Sequence, residues 1–244
     1  SHGNCGTITP SHATPLAAPG MIGKALRWML QPDAPLYIRP RFDPALWYWL
    51  GRFALRCNAR DYRTAARGKA ALLSLSRERL AARVAALPLR CEFEERGLCY
   101  VYRDPATFDR ALELIQDVGE CGIRASALDA TQLAHEEPAL RPGMAGAIRF
   151  PDDAHLRPDR LVAELASAVR ERGGVVLESS PVNGFVRDDE GRIVAVRMGP
   201  DELRAKHLVL ACGAWSVALA RALGLKLPVQ PGKGYSITYD RPEV

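Results

Sequence analysis

Three small residues, Ala211, Cys212 and Gly213, follow an apolar run at 207–210 and precede Trp215. Four to five apolar residues in succession are typical of a strand that is buried on both faces. Because the small residues leave no bulk at the end of that strand, a ligand is able to approach the backbone closely. In open α/β sheets, ligands bind at this end of the strands. The run therefore predicts a cofactor-binding strand exit.

A second group of candidates lies at the start of the chain. Asn4, Cys5, Gly6 and Thr7 have the residue types of a tight turn, whose backbone N–H groups are available to a ligand. The other interpretation of this segment is a frayed terminus. His12 follows in the same loop and is a candidate for a group bordering a substrate, although a lone histidine is more often incidental.

The remaining reactive side chains carry weaker signals. Only His207 lies near enough in sequence to lower the pKa of Cys212, which favours a small buried hydrophobic residue over a catalytic thiol. His155 is a second lone histidine. The sequence contains no Cys-x-x-Cys pair and no cluster with metal-ligand spacing, so we predict reduced thiols in a cytosolic environment and no metal.

Composition places the chain among ordinary globular proteins of one large or two small domains. It has 244 residues, 48% of them hydrophobic, and a formal net charge of +5. The basic residues are mostly arginine and are scattered rather than clustered, which argues against a nucleic-acid partner. We expect no signal peptide, and no apolar run of this sequence reaches membrane-spanning length.

Periodicity predicts a mixture of helices and strands. Amphipathic helices are expected in the stretches 64–87 and 159–172, and a helix opening at Asp104 is expected over 105–118. Residues 151–223 are predicted to follow the order helix, strand, hairpin, buried strand and helix, which is half of a nucleotide-binding α/β unit. The predicted strands and hairpins lie at 91–102 (hairpin), 145–150, 175–178, 182–198 (hairpin), 207–212 and 227–239.

The order of several segments resembles a known family. PDDAHLRPDRLVAELASAVRERGG, VVLESSPVNGF, LRAKHLVLACGAWS and LPVQPGKGYSITY occur in that order. NCGTITP with PLAAPG, KALRWM with APL, and KGYS add further matches. Together they resemble the flavin-dependent amine and amino-acid oxidoreductases of the D-amino acid oxidase superfamily, and within it the small subunits of the D-amino acid dehydrogenase family. The resemblance runs nearly from end to end.

The family pattern is incomplete in this sequence. The superfamily opens with a Gly-x-Gly-x-x-Gly turn that holds the FAD pyrophosphate, and this sequence lacks it. We therefore expect an internal fragment of a longer enzyme. The expected fold class is α/β (α+β mixed), with a partial FAD-binding Rossmann-like domain and a substrate domain containing a mixed or antiparallel sheet. Residues 1–20 and 151–223 are predicted to form the first, and residues 21–150 and 224–244 the second.

The resemblance also implies roles for individual residues. Asn4, Cys5, Gly6 and Thr7 correspond to the segment beside the isoalloxazine ring. Val182 corresponds to a strand residue whose backbone meets the adenine, with an ordinary strand valine as the alternative. Ala211, Cys212 and Gly213 correspond to the segment near the cofactor phosphates and ribose. Trp215 is expected to pack over that segment or in the core. His12, Lys233 and Tyr235 are candidates for the substrate pocket, whereas the catalytic residues and the carboxylate-binding arginine stay unassigned.

The activity implied by the resemblance is FAD-dependent oxidative deamination of D-amino acids. A hydride leaves the α-carbon for the flavin, and the imine hydrolyses to a 2-oxo acid and ammonia. A respiratory-chain acceptor such as a quinone would take the electrons, in a cytoplasmic enzyme that associates peripherally with the inner face of the bacterial inner membrane. The alternatives are a glycine, sarcosine or imino-acid oxidase or dehydrogenase of the same superfamily, and a non-catalytic ligand-binding or assembly module.

Overall fold

The computed structural model describes residues 4–29, 38, 42–232 and 234. They form two compact units. The first contains the described parts of Ser1–Phe42 and Leu50–Ala168, and the second contains Asp43–Trp49 and Val169–Gly234. These boundaries are set by packing alone, and the division into cofactor and substrate domains stays a prediction.

Helices and short strands alternate along both units. The helices are α1 (Met21–Trp28), α2 (Pro44–Leu55), α3 (Ala59–Ala86), α4 (Pro105–Ala111), α5 (Glu113–Gly119), α6 (Ala130–Glu136), α7 (Pro158–Glu171) and α8 (Ser216–Ala222). The strands are β1 (Thr7–Ile8), β2 (Leu98–Tyr102), β3 (Ser126–Asp129), β4 (Gly146–Phe150), β5 (Ala154–His155), β6 (Gly184–Arg187), β7 (Ile193–Met198) and β8 (Asp201–Arg204). Two 3-10 helices lie at Pro10–Ala13 and Gly213–Trp215.

Local capping signals explain where the best-predicted helices begin. The side chain of Asn58 accepts a hydrogen bond from the Asp61 N–H at the start of α3. Asp104 caps α4 in the same way through Thr107, and Pro105 occupies the first helical position. The predicted helices at 64–87 and 159–172 are confirmed as parts of α3 and α7. The helix predicted over 105–118 divides into α4 and α5.

An antiparallel sheet supplies the core of the first unit. Its order is β2-β4-β3, so the central strand is β4. Ile148 and Phe150 on β4 are fully buried and pack with Val118 of α5 and with Ile123. Burying such side chains contributes about 1.5–3 kcal/mol each. The separate two-stranded pairing of β1 with β5 belongs to the same unit and carries the segment described below.

The second unit contains an antiparallel meander, β6-β7-β8. The predicted hairpin over 182–198 is confirmed as β6 and β7. Its turn forms because the Asp188 carboxylate accepts hydrogen bonds from the N–H groups of Glu190 and Arg192. All strand pairs of the described residues are antiparallel, and they combine with helices as the expected mixed fold class requires.

Three predicted strand regions are wrong, and the described part of a fourth, 227–232, also forms no strand. Residues 207–212 form no strand, and the Val209 side chain is 89% exposed. Residues 175–178 also lack strand structure. The hairpin predicted over 91–102 is absent, because β2 pairs with the distant β4. An apolar run becomes a strand only when a neighbour accepts its backbone hydrogen bonds, and no described strand pairs with 207–212.

Candidate functional site

A tight turn stands at the predicted flavin-facing segment. The Gly6 N–H donates to the Asn4 side-chain oxygen at 2.8 Å, which closes the turn within three residues. Cys5 Sγ lies 3.4 Å from Thr7 Oγ1. Hydrogen bonding to Thr7 lowers the pKa of the exposed Cys5 thiol. The segment is therefore an ordered turn, and the alternative of a frayed end is wrong for residues 4–7.

Gly6 is required where the turn meets a second chain segment. Its φ is +74°, and a Cβ placed on it would lie 2.1 Å from the Leu156 carbonyl oxygen. The Leu156 N–H also donates to the Gly6 carbonyl oxygen at 2.9 Å. β1 and β5 continue this contact, with Thr7 opposite His155 and Ile8 opposite Ala154. The turn thus lies directly on residues 154–156.

The 3-10 helix Pro10–Ala13 follows β1 and carries the candidate substrate residue. His12 is exposed, and its Nδ1 lies 3.1 Å from Thr9 Oγ1. The His12 ring is stacked near the Tyr100 ring, with 6.1 Å between the ring centroids. These contacts orient the imidazole in the same segment as the turn. Its contact with substrate stays a prediction.

A buried carboxylate beneath this segment was not found from the sequence. Asp153 is 1% exposed, and it accepts hydrogen bonds from the Ser11 N–H at 3.1 Å and from the Ser11 hydroxyl at 2.5 Å. Burial raises the pKa of Asp153, and the two Ser11 hydrogen bonds oppose that rise. The sequence signal that could have pointed to it is the pair of adjacent aspartates after β4. Of these two residues, Asp152 is partly exposed and Asp153 is buried.

The second unit carries the other predicted cofactor residues. Val182 is half-buried two residues before β6. Ala211, Cys212 and Gly213 are exposed, and the Cys212 N–H donates to Ser216 Oγ at 3.1 Å. The expected burial of Cys212 is therefore wrong. Its neighbours in the 207–212 run are held by no strand pairing.

Trp215 is also more open than predicted. Trp215 is 80% exposed and lies at the end of the 3-10 helix Gly213–Trp215. The expectation of core packing is wrong, because only Ser216 and Ala220 of the following helix are buried. Lys233 and Tyr235, which were predicted to line the substrate pocket, lie outside the described residues.

Two of the predicted cofactor segments, one in each unit, have features of their own that suit a bound ligand. Gly213 has a φ of +55° and has no other heavy atom within 4 Å of a Cβ built on it, so the backbone there is open to a ligand. The Asn4–Thr7 turn presents backbone groups beside an exposed thiol. Neither segment contains a glycine-rich phosphate turn before a helix. The roles of Asn4, Gly6 and Ala211–Gly213 beside a cofactor stay a prediction.

A curated relative and two solved structures are similar to this chain. The D-amino acid dehydrogenase of Paramagnetospirillum magneticum is 34% identical over 250 residues, which cover 98% of this chain and 57% of the relative. Glycine oxidase from Geobacillus kaustophilus has a TM-score of 0.58 at 24% identity, over 65% of this chain and 43% of its own. Dithionite-reduced L-α-glycerophosphate oxidase from Mycoplasma pneumoniae, with FAD bound, has a TM-score of 0.57 at 13% identity. The match covers 91% of this chain and 46% of the oxidase chain.

The two structural neighbours share the fold of flavin-dependent oxidoreductases with this chain. The chain belongs to the FAD dependent oxidoreductase (DAO) family, whose model matches residues 1–244. It spans about 57% of the length of the curated relatives that it matches. The resemblance predicted from the ordered motifs is therefore confirmed, and the FAD-dependent character of the family with it.

Proposed function

We propose that this chain contributes to an enzyme that oxidatively deaminates D-amino acids to 2-oxo acids and ammonia. The observation that carries the proposal is the 34% identity to D-amino acid dehydrogenases across 98% of the chain. The ordered turn at Asn4–Thr7 and the open backbone at Gly213 support it. No catalytic base among the chain's residues needs to be assigned, because such sites work by positioning and desolvating the substrate amine.

Each described segment has one task in this proposal. FAD, when bound, supplies the two-electron acceptor for oxidation of the substrate's C–N bond. As the family resemblance implies, the Asn4–Thr7 turn would border the flavin ring. Val182 would meet the adenine through its backbone, and Ala211–Gly213 would lie near the ribose and phosphates. His12 borders the substrate, at a position that the stacking on Tyr100 helps to hold.

Flavin titration of the purified chain tests cofactor binding directly. FAD is added while flavin fluorescence and the visible absorption spectrum are followed, with FMN and riboflavin as controls for adenine recognition. Gly213→Val is expected to weaken FAD binding, because a branched side chain would occupy the open backbone face. Gly191→Val, at a positive-φ glycine in the β6–β7 turn with the same empty surroundings, is the matched control. Equal FAD affinity in both variants would contradict the assignment of Gly213.

A substrate panel separates the proposed activity from its alternatives. If FAD binds, D-alanine, L-alanine, glycine, sarcosine and proline are offered with an artificial dye acceptor and separately with O₂. Preference for the D-enantiomer with the dye supports the proposal. Preference for glycine, sarcosine or proline selects the alternative within the family. Saturable FAD binding with no turnover of any of them by the longer enzyme, of which this chain is expected to be a part, favours the non-catalytic module.

We propose that a quinone in an anionic membrane accepts the electrons, and that α1 attaches the protein to that surface. α1 exposes an apolar stripe made by Ile22, Leu26 and Met29, which are 45%, 61% and 40% exposed and lie on one helical face. No acidic residue precedes Asp33, and Lys24 lies 4.9 Å from the Trp28 ring centroid. Cations beside an exposed apolar stripe are typical of helices that lie in a membrane interface.

Co-sedimentation with lipid vesicles tests this attachment. The chain is expected to bind vesicles containing phosphatidylglycerol more strongly than phosphatidylcholine vesicles, and less strongly at high salt. Leu26→Glu removes the centre of the stripe, and Leu72→Glu on α3, where the residue is 67% exposed, is the matched control. Loss of binding in the first variant alone supports the proposal, and equal binding of both contradicts it. Among the described residues, no helix is long and apolar enough to cross a membrane.

A further inference from the structure

A buried carboxylate joins two segments that lie far apart in the sequence. Asp153 and Ser11 are 142 residues apart, and they are 1% and 3% exposed. Both carboxylate oxygens are used: Oδ1 accepts the Ser11 N–H, and Oδ2 accepts the Ser11 hydroxyl. Burying a carboxylate costs free energy because it loses its hydration, and hydrogen bonds from the protein must replace that hydration. The Ser11 N–H and hydroxyl are the groups that replace this hydration.

The backbone around Asp153 is held independently of Ser11. The Asp153 carbonyl oxygen accepts the Gly97 N–H at 3.0 Å, just before β2. Tyr100 on β2 packs its ring edge-on against Phe150 in the core, with 5.2 Å between the ring centroids. The carboxylate is thus attached to the rigid sheet of the first unit. Ser11 is the partner that depends on the contact for its position.

The contact lies at one end of the short ribbon formed by β1 and β5. Asp153 directly precedes β5, and Ser11 follows β1 within the 3-10 helix Pro10–Ala13. The other end of the ribbon is the hydrogen bond between Gly6 and Leu156. Two strands of two residues each are too short to be stable alone. An anchor at the Ser11 end therefore restrains the turn at the Gly6 end.

We propose that Asp153 is a positioning residue that fastens the 3-10 segment to the sheet and thereby holds the Asn4–Thr7 turn in place. Its relevance to flavin binding rests on the proposed function, whereas its effect on the turn does not. Asn in place of Asp153 retains the contact, because its oxygen accepts the Ser11 N–H and its amide donates to the Ser11 hydroxyl oxygen. Ala removes the acceptor of the buried Ser11 N–H and leaves the Ser11 hydroxyl with Tyr100 as its partner.

Amide hydrogen exchange of the purified chain tests the effect on the turn. In Asp153→Ala, the Ser11 amide and the Leu156 amide, which is bonded to Gly6, should exchange about tenfold faster or more. Asp153→Asn should exchange at nearly the native rate at both amides. Asp152→Ala is the matched control, since its carboxylate pairs with Arg124 at the surface and not with the 3-10 segment. Amides of β4, the central strand of the same unit, report opening of the whole unit.

The outcomes separate positioning from general stability. Faster exchange confined to Ser11 and Leu156 in the alanine variant, with rescue by asparagine, supports the proposal. Unchanged exchange, an equal increase in β4, or failure of asparagine to rescue overturns it. Ser11→Ala removes only the hydroxyl contact and should give a smaller increase at the same two amides. This variant and Asp153→Asn decide the outcome if Asp153→Ala does not fold.

FAD titration of the same variants tests the functional consequence separately. If the native chain binds FAD, Asp153→Ala should weaken binding several-fold while Asp153→Asn and Asp152→Ala retain it. Equal affinity in all variants would overturn the link between the anchor and the cofactor. If no variant and no native chain binds FAD, the proposed function fails, and the exchange rates alone decide whether Asp153 positions the turn.

Discussion

Replacing Gly6 by alanine is expected to destabilise the first unit by much more than the same change at Gly122. The two glycines have nearly the same φ, +74° and +75°. A left-handed conformation costs an alanine roughly 1–2 kcal/mol at either site. The difference in the free energy of unfolding between the two variants therefore reports the effect of the atoms that surround Gly6.

The surroundings of Gly6 are closed, whereas those of Gly122 are open. A Cβ at position 6 would lie 2.1 Å from the Leu156 carbonyl oxygen and 3.0 Å from Pro158 Cδ, and ordinary contact begins at 3.4 Å. One chain segment must move by roughly 1.3 Å to relieve the first contact. That movement strains the Leu156–Gly6 hydrogen bond. A Cβ at position 122 meets no heavy atom within 4 Å.

These contributions set the expected magnitudes. Overpacking adds about 1–3 kcal/mol and a weakened hydrogen bond about 0.5–1.5 kcal/mol. Gly6→Ala should therefore lower the free energy of unfolding by roughly 2.5–6.5 kcal/mol, against about 1–2 kcal/mol for Gly122→Ala. If the turn borders the flavin, Gly6→Ala should also weaken FAD binding, and Gly122→Ala should leave it unchanged.

Urea unfolding followed by far-ultraviolet circular dichroism measures the difference. The midpoint of Gly6→Ala should lie well below that of Gly122→Ala, with similar denaturant slopes. Amide exchange at Leu156 should rise in the first variant alone, because the perturbation is local. Equal destabilisation by the two substitutions would refute the close approach between Gly6 and residues 156–158.

Two titrations make further predictions. Burial and Asp117 together raise the pKa of Tyr62 to about 12, so Asp117→Asn should move one tyrosine transition to lower pH in an ultraviolet absorbance titration; superimposable titrations would contradict this. Hydrogen bonding to Arg157 holds the pKa of Asp159 at about 2, below its usual 3.8. Its stabilisation is thus complete above about pH 4 and is lost as the pH falls through 2. Asp159→Asn should be less stable than the native chain in urea at pH 7 but equally stable near pH 2, and the same difference at both pH values would contradict the linkage.

Short-range hydrogen bonds explain which elements could be predicted. Asp104 with Pro105, and Asp188 in the β6–β7 turn, each bond to groups within four residues. Such contacts depend on residue type and spacing, and both are visible in the sequence. The start of α4 and the hairpin over 182–198 were correct for this reason. The Asn4–Thr7 turn was recognised on the same basis.

Strand pairing could not be predicted in the same way. β2 pairs with β4, nearly fifty residues away, rather than with the adjacent residues expected from an alternating pattern. The apolar run at 207–212 has strand composition but no described pairing partner, and Trp215 beside it is exposed instead of packed. Composition records which residues favour a strand, whereas a strand exists only where a second backbone supplies hydrogen bonds.

The sequence by itself determined the family, the mixture of helices and antiparallel hairpins, and the turn at Asn4–Thr7, since these follow from local residue types and the order of motifs. Only the tertiary structure decided that Asp153 is buried beneath that turn while Asp152 faces solvent. The adjacent aspartates have opposite environments because Asp152 lies in the turn that the Asp153 N–H closes on the Phe150 carbonyl oxygen, whereas Asp153 leads directly into β5. The partner of Asp153 lies 142 residues away, and folding of the chain brings them together.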